Sequence, residues 1–195
     1  MNQLQEGLRS REECLKNKPQ KIQRTHLDDF GDFADQNSFD LISSFMMMHW
    51  VDDPQSYCKK VYGALIEGSC FQGCFLGGGS FKDLNLLFMQ TELELYQKTK
   101  MRFHPLISAP TFSNILLEAG FCDIVIDIEE VELSYKSLDD VIKDIRETGE
   151  TYALKSSPSH FFPKTLYREI KRRYNKRPFP IHLDIIYWTA FKRKK

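Results

Sequence analysis

Three short stretches of this chain hold residue types that could do chemistry. Asp28-Asp29 lies in a loop with Phe30 and Gly31. Ser44-Phe45 closes an apolar run, with His49-Trp50 just beyond it. Gly77-Gly78-Gly79-Ser80 stands between a second apolar run and a helical pattern. A glycine-rich turn before a helix can present unpaired backbone N–H groups to an anion. No Lys-Ser/Thr follows these glycines, as a phosphate-binding P-loop requires, so a tight turn at a strand end accounts for them better. A lone His beside a Trp is first a packing pair, and acids in a glycine-containing loop are ordinarily solvated. No residue declares itself as a general acid or base, so no catalytic residue is assigned.

The five cysteines, Cys14, Cys58, Cys70, Cys74 and Cys122, include no CxxC pair. Cys70 and Cys74 are four apart in a strand-like run, sharing a face without being adjacent. The spacing predicts reduced, buried thiols rather than a zinc site or a disulfide framework, and no metal is expected.

With 195 residues, 42% hydrophobic and 28% charged, the composition fits one globular domain. No apolar run is long enough for a membrane-spanning helix. Met1 to Gln20 shows neither a signal-peptide core nor a transit pattern, so the expected location is cytoplasmic, or the mitochondrial matrix in a eukaryote. The zero net charge hides an asymmetry. Lys164 to Lys195 holds eleven Lys/Arg against Glu169 and Asp184, a net of +9, which leaves −9 for the rest. The two dense clusters, Lys171-Arg172-Arg173 and Lys192 to Lys195, could face an anionic partner; a solvated helix face and tail explain them more simply. Without aromatics at stacking intervals, nucleic acid is an improbable partner.

The elements that must position these residues follow in order. Residues 2–17 are polar helix formers, and Lys21 to Arg24 could be an edge strand. Asp40 to Met46 is apolar without alternation, as in a strand covered on both faces. Asp53-Pro54 starts a helix with Tyr57, Val61 and Leu65 as its stripe and Gly68 as its end. Ser69 to Leu76 is a strand stopped by the glycines. Ser80 with Asp83 caps a helix reaching about Lys100. Thr111 to Ala119 is a helix closed by Gly120, and Cys122 to Leu133 a strand with Ile124, Ile126 and Ile128 on one face. Ser137 and Asp140 cap a helix with Leu138, Val141, Ile142 and Ile145 inward, ended by Gly149. Pro163 opens a basic helix with Leu166, Ile170 and Tyr174. The last strand, Ile181 to Phe191, puts Ile181, Leu183, Ile185, Tyr187 and Phe191 on one face. Alternating strands and helices imply an α/β layered fold.

These segments line up with a known family. Leu27-Asp28-Asp29-Phe30, followed by Phe33 through Leu41 (FADQNSFDL), resembles the acidic loop and fourth strand of methyltransferase type 11 domains, a class I S-adenosylmethionine-dependent group. Leu116 through Phe121 (LLEAGF) resembles the helix end before their penultimate strand. Met48 to Asp53, Leu76 to Phe81, His104 to Pro110 and Thr148 to Thr151 are similar to one branch, that of the mitochondrial complex I assembly factor 5 and its bacterial relatives. That branch is often grouped with malonyl-carrier-protein methyltransferases of biotin synthesis. The resemblance covers about residues 21–192 and departs at Tyr152 (usually Asn) and at Ala190-Phe191 (often Gly-Trp).

The resemblance implies an incomplete Rossmann-like sandwich, its sheet mostly parallel with an antiparallel C-terminal strand. The family's strand order is 3-2-1-4-5-7-6. The 38 residues before Phe39 are too few for the first two strands with their helices, since one βαβ unit takes about 30; those strands are expected to be missing. The chain is then one partial domain, with residues 21–80 a remnant of the cofactor-binding half and 81–195 the substrate-side helices and last two strands. By resemblance, Asp28, with Asp29 second, would accept from the adenine amine. Ser44 and Phe45 would border the methionyl part, and His49 and Trp50 would close the pocket. Gly77, Gly78 and Ser80 would face the substrate. No GxGxG loop occurs in the chain, so S-adenosylmethionine binding is expected to be weak or lost. The implied role is a methyltransferase-like protein acting on a protein substrate in complex I assembly, with arginine hydroxylation as an open alternative chemistry. Two other readings remain: a non-enzymatic assembly protein using the basic C-terminal face, and a malonyl-carrier-protein O-methyltransferase. The open edge at Asp40–Met46 would allow self-association.

Overall fold

The computed structural model describes residues 37–100, 105–148 and 163–194. The expected elements at 2–17 and 21–24, and the loop acids Asp28 and Asp29, lie outside the described residues. Strand β1 (Phe39–Phe45) leads through a single 3₁₀ turn (Met48–Trp50) into helix α1 (Pro54–Ala64) and strand β2 (Leu65–Leu76). Helix α2 (Lys82–Tyr96) and helix α3 (Ala109–Ala119) precede strand β3 (Cys122–Leu133). Helix α4 (Leu138–Glu147), helix α5 (Lys164–Lys176) and strand β4 (Ile181–Phe191) complete the order.

The sheet runs β1-β2-β4-β3, with β1 parallel to β2. Strand β4 is antiparallel to β2. Gly68 N–H donates to the Lys192 carbonyl and Lys192 N–H to that of Ser69, whereas Gly77 N–H donates to Asp184 at the other end. The order and the reversed strand β4 agree with the expected mostly parallel sheet with an antiparallel C-terminal strand.

Local chemistry explains most boundaries. The Asp53 carboxylate accepts from Ser56 N–H at 3.0 Å and Pro54 occupies the first turn, so α1 starts where the sequence places it. It ends earlier than expected. Leu65 leaves the helix to pair with Phe39, and Gly68, at φ +78°, lies inside β2 instead of ending α1. From Leu41↔Cys70 onward the register is regular, so residues 66–69 absorb the shift in a bulge. Ser108, missed as a cap, accepts from Thr111 N–H, while Gly120, at φ +105°, closes α3 as expected. Ser137 caps α4 through Asp140 N–H as expected; α4 gives way at Thr148.

The chain divides into two compact units: residues 1–76, 107–129 and 186–195, and residues 77–106 and 130–185. The first unit has an aromatic core. Trp188 meets Phe71, Phe75 and Phe112 edge to face, at centroid distances of 5.0–5.6 Å. Each such pair adds about 0.5–1.5 kcal/mol beyond the area it buries. Trp188 can sit there because position 73 has no side chain. A Cβ on Gly73 would stand 2.6 Å from the Trp188 ring and closer still to the Ser44 carbonyl. Two expectations fail here. Strand β4 turns Ile186, Trp188 and Ala190 into the core, whereas Leu183, Ile185 and Tyr187 are only half-buried. Strand β1 alternates: Ile42 and Ser44 are buried, while Ser43 and Phe45 are exposed.

The C-terminal lysines are partly structural. Lys192 Nζ donates to the Tyr62 and Leu65 carbonyls at the end of α1 and to Asn37, and lies over the Tyr62 ring. A cation there also complements the helix dipole. Cys70 is disulfide-bonded, against the expectation of uniformly reduced thiols; Cys58, Cys74 and Cys122 are free.

In the second unit α4 buries Leu138, Val141 and Ile145, and α5 buries Leu166, Ile170 and Tyr174, as their spacing predicts. The basic cluster on α5 is largely paired. Lys171 meets Asp139 at 2.5 Å, Arg172 meets Glu169 at 2.6 Å, and Arg173 bridges Glu169 and Glu94 at 2.8 and 2.5 Å. Among the described residues no helix is long and apolar enough to cross a membrane.

Two measurements check this account. Gly73→Ala should cost about 2 kcal/mol or more, because backbone and Trp188 must both give way. Gly63→Ala, in α1 with open space around it, should be neutral or stabilise by up to about 1 kcal/mol; denaturant midpoints separate the two. The Arg172 and Arg173 guanidiniums hold the Glu169 carboxyl down to about 2, from 4.5. Their pairing therefore stabilises fully above pH 4.5 and is lost as pH falls from 4.5 towards 2. Unfolding midpoints of Glu169→Gln should converge on the parent protein's across that window.

Candidate functional site

Strand β1 ends at Phe45 with the chain turning through Met46 at φ +49°. In parallel α/β sheets the carboxyl ends of the strands are where ligands bind. Ser44 and Phe45, adjacent in sequence, point to opposite faces. The Ser44 side chain is buried and its hydroxyl has no hydrogen-bond partner among the described residues; it lies beside the Tyr57 phenol without closing a bond of good geometry. Burial, helped by neighbouring Cys58, pushes the Tyr57 phenol up to about 12, so it stays a neutral hydroxyl. Phe45, 65% exposed, is the side chain that faces outward at the end of this strand.

His49 and Trp50 follow on the 3₁₀ turn, their rings tilted at 5.3 Å. His49 is buried, and its Nδ1 accepts a long 3.4 Å hydrogen bond from Leu76 N–H. That bond places the neutral imidazole's proton on Nε2 and ties the turn after β1 to the last residue of β2. Trp50 is half-buried. The ends of β1 and β2 are thus fastened together through one side chain, which periodicity could not have revealed. Proximity of the Met48-His49-Trp50 triplet to a strand end was the only sequence signal for it.

The Gly77–Ser80 turn belongs to the second unit and is built differently. Ser80 does not cap α2; Phe81, at φ +59°, takes that position without a side-chain cap. The Ser80 hydroxyl instead accepts from Asp184 N–H at 2.9 Å and faces the Asp184 carbonyl at 3.2 Å. Gly77 N–H donates to the same carbonyl at 2.7 Å, and Phe81 N–H to that of His182. Gly77 and Ser80 are buried, and Gly78 is exposed. A Cβ at Gly79 would stand 2.6 Å from the Asp184 carboxyl carbon. The glycine at 79 is there to admit that carboxylate. Sequence reading missed Asp184, which carries no motif and sits some hundred residues from the turn.

The described residues fit a methyl-donor cofactor in part. β1 offers a strand end at the right topological place, with an outward aromatic beside it. Among the described residues no group of His, Cys, Asp and Glu is arranged to hold a metal ion. Bound S-adenosylmethionine would supply an electrophilic methyl on its sulfonium; the chain's own share is to position and shield the acceptor.

A methyltransferase-domain profile matches residues 4–71, reaching upstream of the first described strand. Rickettsia prowazekii RP459, which carries a methyltransferase name, is 28% identical over 159 residues, 82% of this chain and 70% of that protein. The mitochondrial arginine-hydroxylase NDUFAF5 of Danio rerio is 28% identical over 116 residues, 60% of this chain and 36% of that protein. Malonyl-[acyl-carrier protein] O-methyltransferase 1 of Coxiella burnetii is 25% identical over 164 residues, 82% of this chain and 55% of that protein. A Bacillus halodurans methyltransferase-type structure aligns with a TM-score of 0.48 at 13% identity, covering 82% of this chain and 72% of that one. The chain is thus similar to methyltransferase-domain proteins over its first 71 residues, and to these relatives over more of its length. It spans about a third of the Danio rerio hydroxylase and about half of the Coxiella burnetii enzyme.

His49→Ala should cost about 2–3 kcal/mol, because it opens a cavity and leaves the Leu76 N–H without its acceptor. Chemical denaturation measures this. His49→Asn, which keeps an acceptor, should recover part of the loss.

Proposed function

We propose that this chain acts as an S-adenosylmethionine-dependent methyltransferase-type protein on a protein substrate, in the assembly of respiratory complex I. The observation that carries the reading is the β1-β2-β4-β3 sheet with its antiparallel last strand, joined to the family profile over residues 4–71. The similarity to a mitochondrial arginine-hydroxylase supports a protein substrate and keeps side-chain hydroxylation beside methyl transfer as the chemistry. In this reading Asp28 and Asp29 serve the adenine end, Ser44 and Phe45 the methionyl end, and His49 with Trp50 hold the turn that closes it. Gly77, Gly78 and Ser80 form the substrate-side turn.

Cofactor affinity is expected to be weak, because no GxGxG loop in the chain lets backbone approach the cofactor. The malonyl-carrier-protein reading is supported by the Coxiella burnetii relative. The non-enzymatic reading leaned on the basic C-terminal face, and the pairing of Lys171, Arg172 and Arg173 with Asp139, Glu169 and Glu94 leaves that face less charge to offer.

Calorimetric titration of the purified chain with S-adenosylmethionine tests the proposal. The expected result is stoichiometric binding weaker than about 10 μM, displaced by S-adenosylhomocysteine. No heat at millimolar cofactor would sink the enzyme reading, and a tight site would overturn the claim of weakness. Rescue of a biotin auxotroph would favour the malonyl-carrier alternative.

A further inference from the structure

We propose that Asp184 is the specificity-determining residue of the substrate-side turn, and that it selects an acceptor carrying a positive charge. This rests on the functional reading above, in which the Gly77–Ser80 turn faces the substrate, and it extends that reading to the acceptor's charge.

Three contacts fix the backbone of Asp184. Gly77 N–H and the Ser80 hydroxyl meet its carbonyl, and its own N–H reaches Ser80 Oγ. Phe81 N–H fastens the strand two residues earlier, at His182. The turn is therefore latched to β4 at His182 and at both backbone groups of one residue, Asp184. The carboxylate of that residue is laid directly on the Cα of Gly79, in space that any other residue's Cβ would fill. Among the described residues the carboxylate has no hydrogen-bond donor and no ion-pair partner. His182 shares the Asp184 face of the strand, and its Nε2 is 4.0 Å from Asp83 Oδ2. Among the described residues no lysine or arginine pairs with Asp184.

A carboxylate carried on a backbone latched in this way, and packed on Gly79, needs less further ordering to bind a cation than one on a free loop. A guanidinium suits it best, since two parallel N–H groups match the two carboxylate oxygens. The same carboxylate repels an anionic acceptor. Asp184 thus separates the two chemistries carried by the relatives' names, favouring a cationic side chain over a malonyl carboxylate.

Fluorescence anisotropy with the full chain and labelled heptapeptides tests this, the peptides being neutral except for a central Arg or a central Glu. The parent protein should bind the Arg peptide at least about tenfold more tightly than the Glu peptide. Asp184→Asn, which preserves the backbone latch, should reduce that ratio to near one; Asp184→Glu should keep part of it. Gly79→Ala, which displaces the carboxylate without removing its charge, should also lower the ratio, and it carries the test if Asp184→Asn fails to fold. An undiminished preference in Asp184→Asn or Gly79→Ala, or no preference in the parent protein, overturns the proposal. Cofactor titration of the same samples keeps the two ideas apart. A charge preference without S-adenosylmethionine binding would reject the enzyme reading and leave Asp184's role standing.

Discussion

The first unit depends on one close approach, that of Trp188 over Gly73. Strand β2 carries Phe71 and Phe75 on the face where position 73 is bare, and the Trp188 indole fills that bare position with Phe112 of α3 above it. The ring replaces the side chain that β2 lacks, so the antiparallel strand is held by interdigitation as well as by its ladder bonds. The same bare position lets the Ser44 carbonyl of β1 come near. One glycine thereby sets the spacing of three strands. The end of β1, where the cofactor's methionyl part is proposed to lie, takes its placement from that spacing.

Two buried polar atoms in this core have no partner among the described residues, Ser44 Oγ and Trp188 Nε1. Each is a cost that ordinary core packing would avoid. Their position fits a core in which aromatic shape takes precedence over polar satisfaction: turning Trp188 to reach an acceptor would break three edge-to-face contacts. Tyr57, beside Ser44, is kept neutral by its surroundings, so the helix face over β1 brings no charge to the end of the strand.

Much of the fold was legible because its signals are local. Asp53-Pro54, Ser137 with Asp140, Gly120 and the Gly77–Gly79 stop each act within a few residues of themselves, and each marks a real boundary. What was illegible was set by distant partners. Gly68 reads as a helix end, yet it sits in a bulge whose bonds go to Lys192. Ser80 reads as a cap and is drawn instead to Asp184. The odd-numbered apolar face of β4 looked inward by composition, but the large ring at 188 fits the gap at 73, and fit outweighs a count of apolar residues. The alternation of β1 was hidden because Phe45, an apolar side chain, is on the exposed face. Of the candidate site, the strand end and the turn could be placed from sequence. The carboxylate on Gly79 could not, since nothing in an isolated Asp announces a glycine across the sheet.

Lys192 anchors the end of α1, so a segment 130 residues downstream of Tyr62 fastens one of the earliest described helices. The unit it completes is assembled from three separated segments, with the second unit's residues between them. During synthesis the ribosome must release the whole stretch from β2 (Leu65–Leu76) to β4 (Ile181–Phe191) before the β4 segment can slot beside β2. Until then the bare stripe at Gly73 and its flanking phenylalanines have no indole to cover them. Such long-range closure makes folding slow and leaves apolar strands open meanwhile. The nascent protein is therefore expected to depend on chaperones until β4 emerges.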